Sequence, residues 1–232
     1  MALILSLETA TETCSVALSQ EGEILSLRET SGNNEHSSQL TLFIAEVMQA
    51  SKHTLRELDA VAVSMGPGSY TGLRIGASAA KGLCYALEIP LIAVSTLQSM
   101  ALNALLRYPD LAGENYLLCP MIDARRMEVY TALYNPVLET ILPVNALLVK
   151  EDSFAEYDRD IAIFGNGAAK CRELFSNRES VLFPGELHAS ASTLSSLAYK
   201  KFLASEFENV AYFEPLYLKD FIAARPRVKG LD

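Results

Sequence analysis

Histidine is scarce in this chain of 232 residues, present only as His36, His53 and His188. None has a second histidine or a cysteine at ligand spacing, which argues against a metal centre built from local sequence. Cysteine is sparse and scattered: Cys14, Cys84, Cys119 and Cys171 form no short-spaced pair. Three of the four lie in apolar stretches, so they read as buried free thiols of a reducing cytoplasm. No apolar run approaches the roughly 20 residues of a membrane span. The start, MALILSLETA, has no basic leader and carries Glu8, so it is expected not to be a signal peptide. Basic charge is also short. Lys and Arg number 19 against 28 Asp and Glu, a net charge of −9, and the first fifty residues hold seven acids and one base. A protein that grips nucleic acid alone presents a basic face instead. Neither a phosphate-cradling G-x-x-x-x-G-K-[ST] loop nor a G-x-S-x-G nucleophile elbow occurs.

What is present is a soluble globular composition, 50% hydrophobic and 20% charged, in a chain long enough for one domain or two small ones. The stretch that organises it runs from Ala60 to Glu88. Val61, Val63 and Met65 alternate as a buried strand does. Gly66-Pro67-Gly68 then forces a tight turn, and Ser69 or Tyr70-Thr71 leads into a helix lasting to about Leu87. With Gly72 also near the helix start, the turn admits two readings. It is either a strand-to-helix corner that needs glycines or a site where free N–H groups favour an anion. The helix is small-sided nearly all round, with Gly76, Ala77, Ala79, Ala80, Gly82 and Ala86. Its charges before the end are Arg74 and Lys81. Leu73, Ala77, Ala80, Cys84 and Leu87 form one apolar face; Ile75, Ala79, Gly82 and Ala86 form another on the opposite side. A surface helix with one core needs only the first, so the second invites another backbone.

Taken in order, Leu3–Leu7, Cys14–Leu18 and Ile24–Arg28 read as strands, joined by a polar turn at Glu8-Thr9-Ala10-Thr11 and a hairpin turn at Glu21-Gly22. A helix from about His36 to Ala50 puts Leu40, Phe43, Ile44, Val47 and Met48 on one stripe. Leu42 and Ala45 lie on its far side, where solvent is expected. Leu91–Val94 is a strand, and Ser95 or Thr96 caps a helix to Arg107. Tyr108-Pro109-Asp110 marks a boundary, giving lobes 1–108 and 109–232. At a constant offset of 115 residues, LSLETATETCSVAL lies over PMIDARRMEVYTAL, with Glu8 on Asp123, Ala17 on Ala132 and Leu18 on Leu133. The shared strand–acidic turn–strand plan indicates duplicated halves. Gly165-Asn166-Gly167 echoes Gly66-Pro67-Gly68. Further strands are expected near Leu138–Val149 and Ile161–Phe164, helices over Ala168–Phe175 and Thr193–Ser205, and an extended Tyr212–Leu218 packing back on the body. The tail holds Lys219, Arg225, Arg227 and Lys229 against Asp220 and Asp232, either simply solvated or a contact for RNA or a partner.

GPGSYTGLRIGASAAKGLCYAL followed by IPLIAVSTLQSMA resembles the bacterial TsaB (YeaZ) family, as do LILSLETATETCSVAL and EPLYLKDF, so the likeness spans most of the chain. The resemblance implies a two-lobed α/β fold of the actin, sugar kinase and Hsp70 superfamily, with duplicated βββαβα-type lobes. It also implies an accessory role in tRNA threonylcarbamoyladenosine biosynthesis. In that role a non-catalytic paralogue binds and activates TsaD, the ATPase TsaE joins the complex, and tRNA is met only through it. A homodimer is implied when TsaD is absent. The expected contact surface is the pair of helices bearing His36, Leu42, Ala45, Arg74, Ile75, Ala79, Gly82 and Ala86. No cofactor or metal of its own is expected; ATP or ADP and a metal ion would sit on partner subunits or at the junction. Residues near such a nucleotide would be Glu8, Thr9, Gly66, Pro67, Gly68, Ser69, Thr71, Gly72 and Asp123.

The rival chemistries lack their groups. TsaD carries a His-x-x-x-His pair after its equivalent strand, and the matching positions here are Thr96 and Met100, neither a serviceable ligand. A small-molecule kinase of the superfamily would need Glu8 or Asp123 on magnesium. Ser6, Glu8, Thr9 and Thr11 form either a polar cleft floor or turn residues satisfying their own backbone. A glycoprotease-like peptidase would need Ser64, Ser69, Ser95 or Ser99 paired with a distant histidine such as His36.

Overall fold

The computed structural model describes residues 1–31, 36–185 and 187–219, and for 36 and 37 the backbone alone. Two five-stranded sheets carry the architecture. The first contains β1 (Leu3–Glu8), β2 (Thr13–Gln20), β3 (Glu23–Ser31), β4 (Ala60–Gly66) and β5 (Leu91–Ser95), in the order β3-β2-β1-β4-β5. The second contains β6 (Tyr116–Asp123), β7 (Glu128–Tyr134), β8 (Thr140–Leu148), β9 (Asp160–Phe164) and β10 (Val181–Leu182), in the order β10-β9-β6-β7-β8. Read from the other edge, that is the same order. The pairings agree too: β1 and β6 each run antiparallel to the strand that follows and parallel to the fourth strand of their sheet. The two-lobed α/β class expected from the sequence is therefore the observed one.

Strand alternation divides each sheet between two cores. Leu3, Leu5, Leu7, Val61 and Val63 face outward onto α1 (His36–Ser51) and α2 (Tyr70–Leu87), meeting Leu40, Val47, Ala77 and Ala80. Ile4, Ala60, Ala62, Ile92 and Val94 face inward onto Leu194, Leu197 and Ala198 of α4 (Ala191–Leu203). The inner face of the second sheet, with Leu118, Ile122, Ala132 and Phe164, packs on Leu97, Met100, Ala101 and Ala104 of α3 (Thr96–Arg107). The inner helices are thus exchanged. The helix that follows the first sheet covers the second, and the helix that follows the second covers the first. Ser99 and Thr193 tie α3 to α4 by a hydroxyl–hydroxyl bond of 2.8 Å.

The helical layer is not duplicated. The helix expected over Ala168–Phe175 is only a 3-10 turn, Ala169–Cys171, within a run of tight turns. The N–H groups of Cys171, Arg172 and Ser176 bond three residues back, to Ala168, Ala169 and Glu173. A segment this short gains too few hydrogen bonds to propagate an α-helix. Its apolar residues still do the covering: Ala168, Cys171 and Phe175, with Phe154, close the outer face of the second sheet over Cys119, Met121 and Ile163.

The segment after α4 is not a strand, but it does return to the body. Phe213 is buried in the first core. Lys81 Nζ donates to the carbonyls of Ala211 and Phe213, both at 3.1 Å, the Leu216 N–H donates to Met65, and Tyr217 lies against Tyr70 with ring centroids 4.9 Å apart. The basic residues Arg225, Arg227 and Lys229 fall outside the described residues.

Candidate functional site

The glycine turn is built for backbone contact. Gly66 has φ +104 and precedes Pro67 through a cis peptide. A Cβ on Gly68 would lie 2.1 Å from the Ala10 carbonyl oxygen, and one on Gly72 would lie 2.1 Å from that of Thr9. The turn after β1 therefore lies directly on the start of α2. The Ser69 N–H donates to the Ala10 carbonyl at 2.7 Å, the Ser69 hydroxyl caps the Gly72 N–H at 3.3 Å, and Thr9 Oγ1 donates to the Gly72 carbonyl at 2.8 Å. Ser69 is the N-cap, and Thr71, one position on from Tyr70, is exposed. The second lobe repeats the device. Gly165 has φ +100, and a Cβ on Gly167 would strike the backbone of Ile122 and Asp123.

Glu8 and Asp123 end the equivalent strands β1 and β6, yet their surroundings differ. Glu8 is fully buried. Its Oε1 accepts from the Ala10 N–H at 2.7 Å, and its Oε2 has no hydrogen-bond partner. Burial pushes its carboxyl up to about 7, the Ala10 N–H pulling the other way. Other buried hydroxyls are Ser64, which accepts from the Thr9 N–H, Ser6, which accepts from Ser195, and Thr96, whose Oγ1 is unpartnered. A general acid or base must reach its substrate, and Glu8 reaches no solvent. Asp123 is half exposed, accepts from the Arg125 N–H at 3.0 Å and pairs with Lys170.

Between the lobes, Thr11, Glu12, Met100, Asn166, Leu187, His188 and Ala189 line a cavity of only about 10 Å³, room for about one water. Met100 is 1% exposed and its methyl lies 2.6 Å from where a Cβ on Gly165 would be, so the position that would carry the second histidine of a metal pair is core. Among the described residues no group of three or more His, Cys, Asp or Glu is placed to hold a metal ion. The serines weighed as nucleophiles are structural. Ser69 and Ser95 are helix caps, Ser64 accepts from Thr9, and Ser99 bonds Thr193. His53 bonds Glu57, and the side chain of His36 lies outside the described residues.

A larger hollow lies on the outer helices. Leu40, Thr41, Tyr70, Thr71, Arg74, Ile75, Ser78 and Ala79 line a groove of about 600 Å³ between α1 and α2. Arg74 stacks over the Tyr70 ring at 5.1 Å. Ile75 and Ala79 are partly buried against the first core, whereas Gly82 and Ala86 are exposed and a Cβ on Gly82 would meet nothing within 4 Å. Leu42 is 50% and Tyr85 82% exposed, and Ala45 is also exposed. Sequence reasoning missed Tyr85, which the 3.6-residue period places beside Gly82 and Ala86. It also missed the unpartnered Thr96 hydroxyl, which no pattern signals.

Comparison with known proteins bears on the family and the fold. The family described as "TsaD: tRNA N6-adenosine threonylcarbamoyltransferase" matches residues 24–229. The tRNA threonylcarbamoyladenosine biosynthesis protein TsaB of Escherichia coli (strain K12) is 32% identical over 227 residues, 95% of this chain and 96% of that one. Its counterpart in Bacillus subtilis (strain 168) is 30% identical over 181 residues, 75% of each chain. The solved structure of YeaZ from Pseudomonas aeruginosa superposes with a TM-score of 0.82 at 28% identity, covering 94% of this chain and all of the other. With a TsaD-type core over most of its length and TsaB relatives along nearly all of it, this chain belongs to the TsaB (YeaZ) family.

Proposed function

We propose that this chain is a non-catalytic, cytoplasmic subunit of tRNA threonylcarbamoyladenosine biosynthesis that binds TsaD through the outer face of α1 and α2 and holds it in an active shape. The observation that carries the reading is that face. An apolar groove of about 600 Å³ sits beside exposed Leu42, Tyr85, Gly82 and Ala86. Apolar area of this kind on paired helices is what a partner with a matching pair covers. The likeness to TsaD makes such a pair available on the partner, and an isologous version of the contact gives a homodimer when TsaD is absent. The threonylcarbamoyl transfer, the metal and the nucleotide belong to TsaD, to the ATPase TsaE or to the junction, and tRNA is met through the assembly. The sealed Glu8 and the small cavity beside Met100 support this division of labour.

The test is the mass in solution of the chain alone and mixed with the same organism's TsaD, with Gly82→Glu as the control. A Cβ on Gly82 would meet nothing within 4 Å, so the change adds charge to the face without a clash. A one-to-one complex lost on Gly82→Glu is expected. A chain indifferent to TsaD, or ATP or peptide turnover by the pure chain that Glu8→Ala abolishes, would overturn the reading.

A further inference from the structure

The turn between β6 and β7 gathers cations in an otherwise acidic protein. Lys170 donates to the Asp123 carboxylate and to the Glu128 carbonyl, and Lys219 donates to the Glu128 carboxylate and to the Ala124 carbonyl. Both carboxylates of the turn are therefore neutralised by lysines. Arg125 and Arg126 are exposed, and among the described residues neither guanidinium has a hydrogen bond or an ion pair. Their backbone is unusual as well: φ is +72 at Arg125 and +51 at Arg126. Two successive left-handed residues are ordinarily Asn and Gly, because a Cβ is disfavoured there. Among the described residues the fold gains no side-chain hydrogen bond or ion pair from either arginine in return, which points to a role for these side chains off the chain.

Charge is segregated along the same line. The turn and its two lysines hold four cations and two carboxylates; the remainder of the chain holds 15 and 26, so a local +2 stands against −11 elsewhere. Arginine forks match phosphate oxygens in pairs, whereas an acidic protein partner would be repelled by the rest of this surface. We propose that the β6–β7 turn, with Arg125 and Arg126 at its tip and Lys219 at its base, contacts the phosphodiester backbone of the RNA substrate. This rests on the chain acting in tRNA modification, and it assigns to this subunit a positioning contact made within the assembly.

The test is titration of an unmodified tRNA transcript, at several salt concentrations, against the full chain alone at low salt and against its assembly with TsaD. Two double variants are compared with the natural chain. R125N/R126G suits the left-handed backbone, and R125K/R126K keeps the charge. The expected result is affinity about tenfold weaker for R125N/R126G, a slope of log K against log salt shallower by about one to two, and retention of most binding by the lysine pair. Thermal stability of R125N/R126G should be unchanged or raised, which separates the proposal from a structural role for the arginines. Unchanged affinity and slope would overturn it. So would weakened association with TsaD or TsaE at unchanged RNA affinity, which would make the turn a protein contact. Failure of the natural chain to bind TsaD at all would sink the subunit reading, while the titration of the chain alone would still judge this one.

Discussion

Thr9 donates its hydroxyl to the Gly72 carbonyl at 2.8 Å, and its own carbonyl oxygen occupies the space where a Gly72 side chain would begin. The first strand's turn and the start of α2 are therefore fitted backbone to backbone. Replacing Gly72 or Gly68 by Ala puts a methyl within 2.1 Å of a carbonyl that cannot move alone. Each substitution should lower stability by about 3 kcal/mol, the upper part of the range for overpacking. Gly82→Ala, in open space on the same helix, should raise it by about 1 kcal/mol. Denaturant midpoints of the three variants would check the contrast.

The Glu8 carboxyl gives stability a particular pH dependence. Its folded value of about 7 lies above the ordinary 4.5, so between those limits the native state binds more protons than the unfolded one. Stability therefore falls as pH rises through that window, by an amount on the order of 3 kcal/mol from this group alone. Glu8→Gln should remove that fall and gain relative to the natural chain at pH 8 compared with pH 5. Unfolding curves at the two pH values measure it, and parallel behaviour of both proteins would contradict it.

All four thiols should be silent in the native protein. Burial pushes Cys14 and Cys84 up to about 11 and Cys119 up to about 12, and it raises Cys171 as well. With the thiolate so disfavoured and no sulfur exposed, a thiol reagent at neutral pH should label none of them until denaturant is added, and then all four.

Met100 plugs the space between the lobes. Met100→Ala should cost about 2–5 kcal/mol, as large-to-small changes in packed cores do. Met100→Leu, close in volume, should cost less than about 1.5 kcal/mol. Equal losses would mean the methyl against Gly165 matters more than the volume.

The strand and cap signals were legible because they are local. Alternating or continuous apolar runs marked the long strands, and Ser69 and Ser95 cap the helices that the sequence places after them. The offset of 115 correctly aligned Glu8 with Asp123 as the ends of equivalent strands. It did not reveal that one carboxylate is sealed and the other half exposed. That difference depends on which helix lies over each strand end, a tertiary fact. The two-faced reading of α2 was legible in part. Gly82 and Ala86 are exposed, but Ile75 and Ala79 also lean on the first core. The turns at Ala168–Phe175 looked helical because their apolar spacing is set by what they cover, not by their backbone. The left-handed arginines at 125 and 126 carry no signal, because ordinary turn chemistry puts other residues there.

The exchange of α3 and α4 laces the two sheets together. Swinging them apart would strip Phe164 of Met100 and Ile92 of Leu194, and would break the Ser99–Thr193 bond. A clamshell that opens for a ligand needs a hinge between independent halves; this chain has a weave in its place. Neither half of the sequence brings enough of its own wrapping to stand alone, so the molecule should melt in a single cooperative step. It should behave towards its partners as a stiff block, transmitting a push at α2 to the β6–β7 turn without absorbing it.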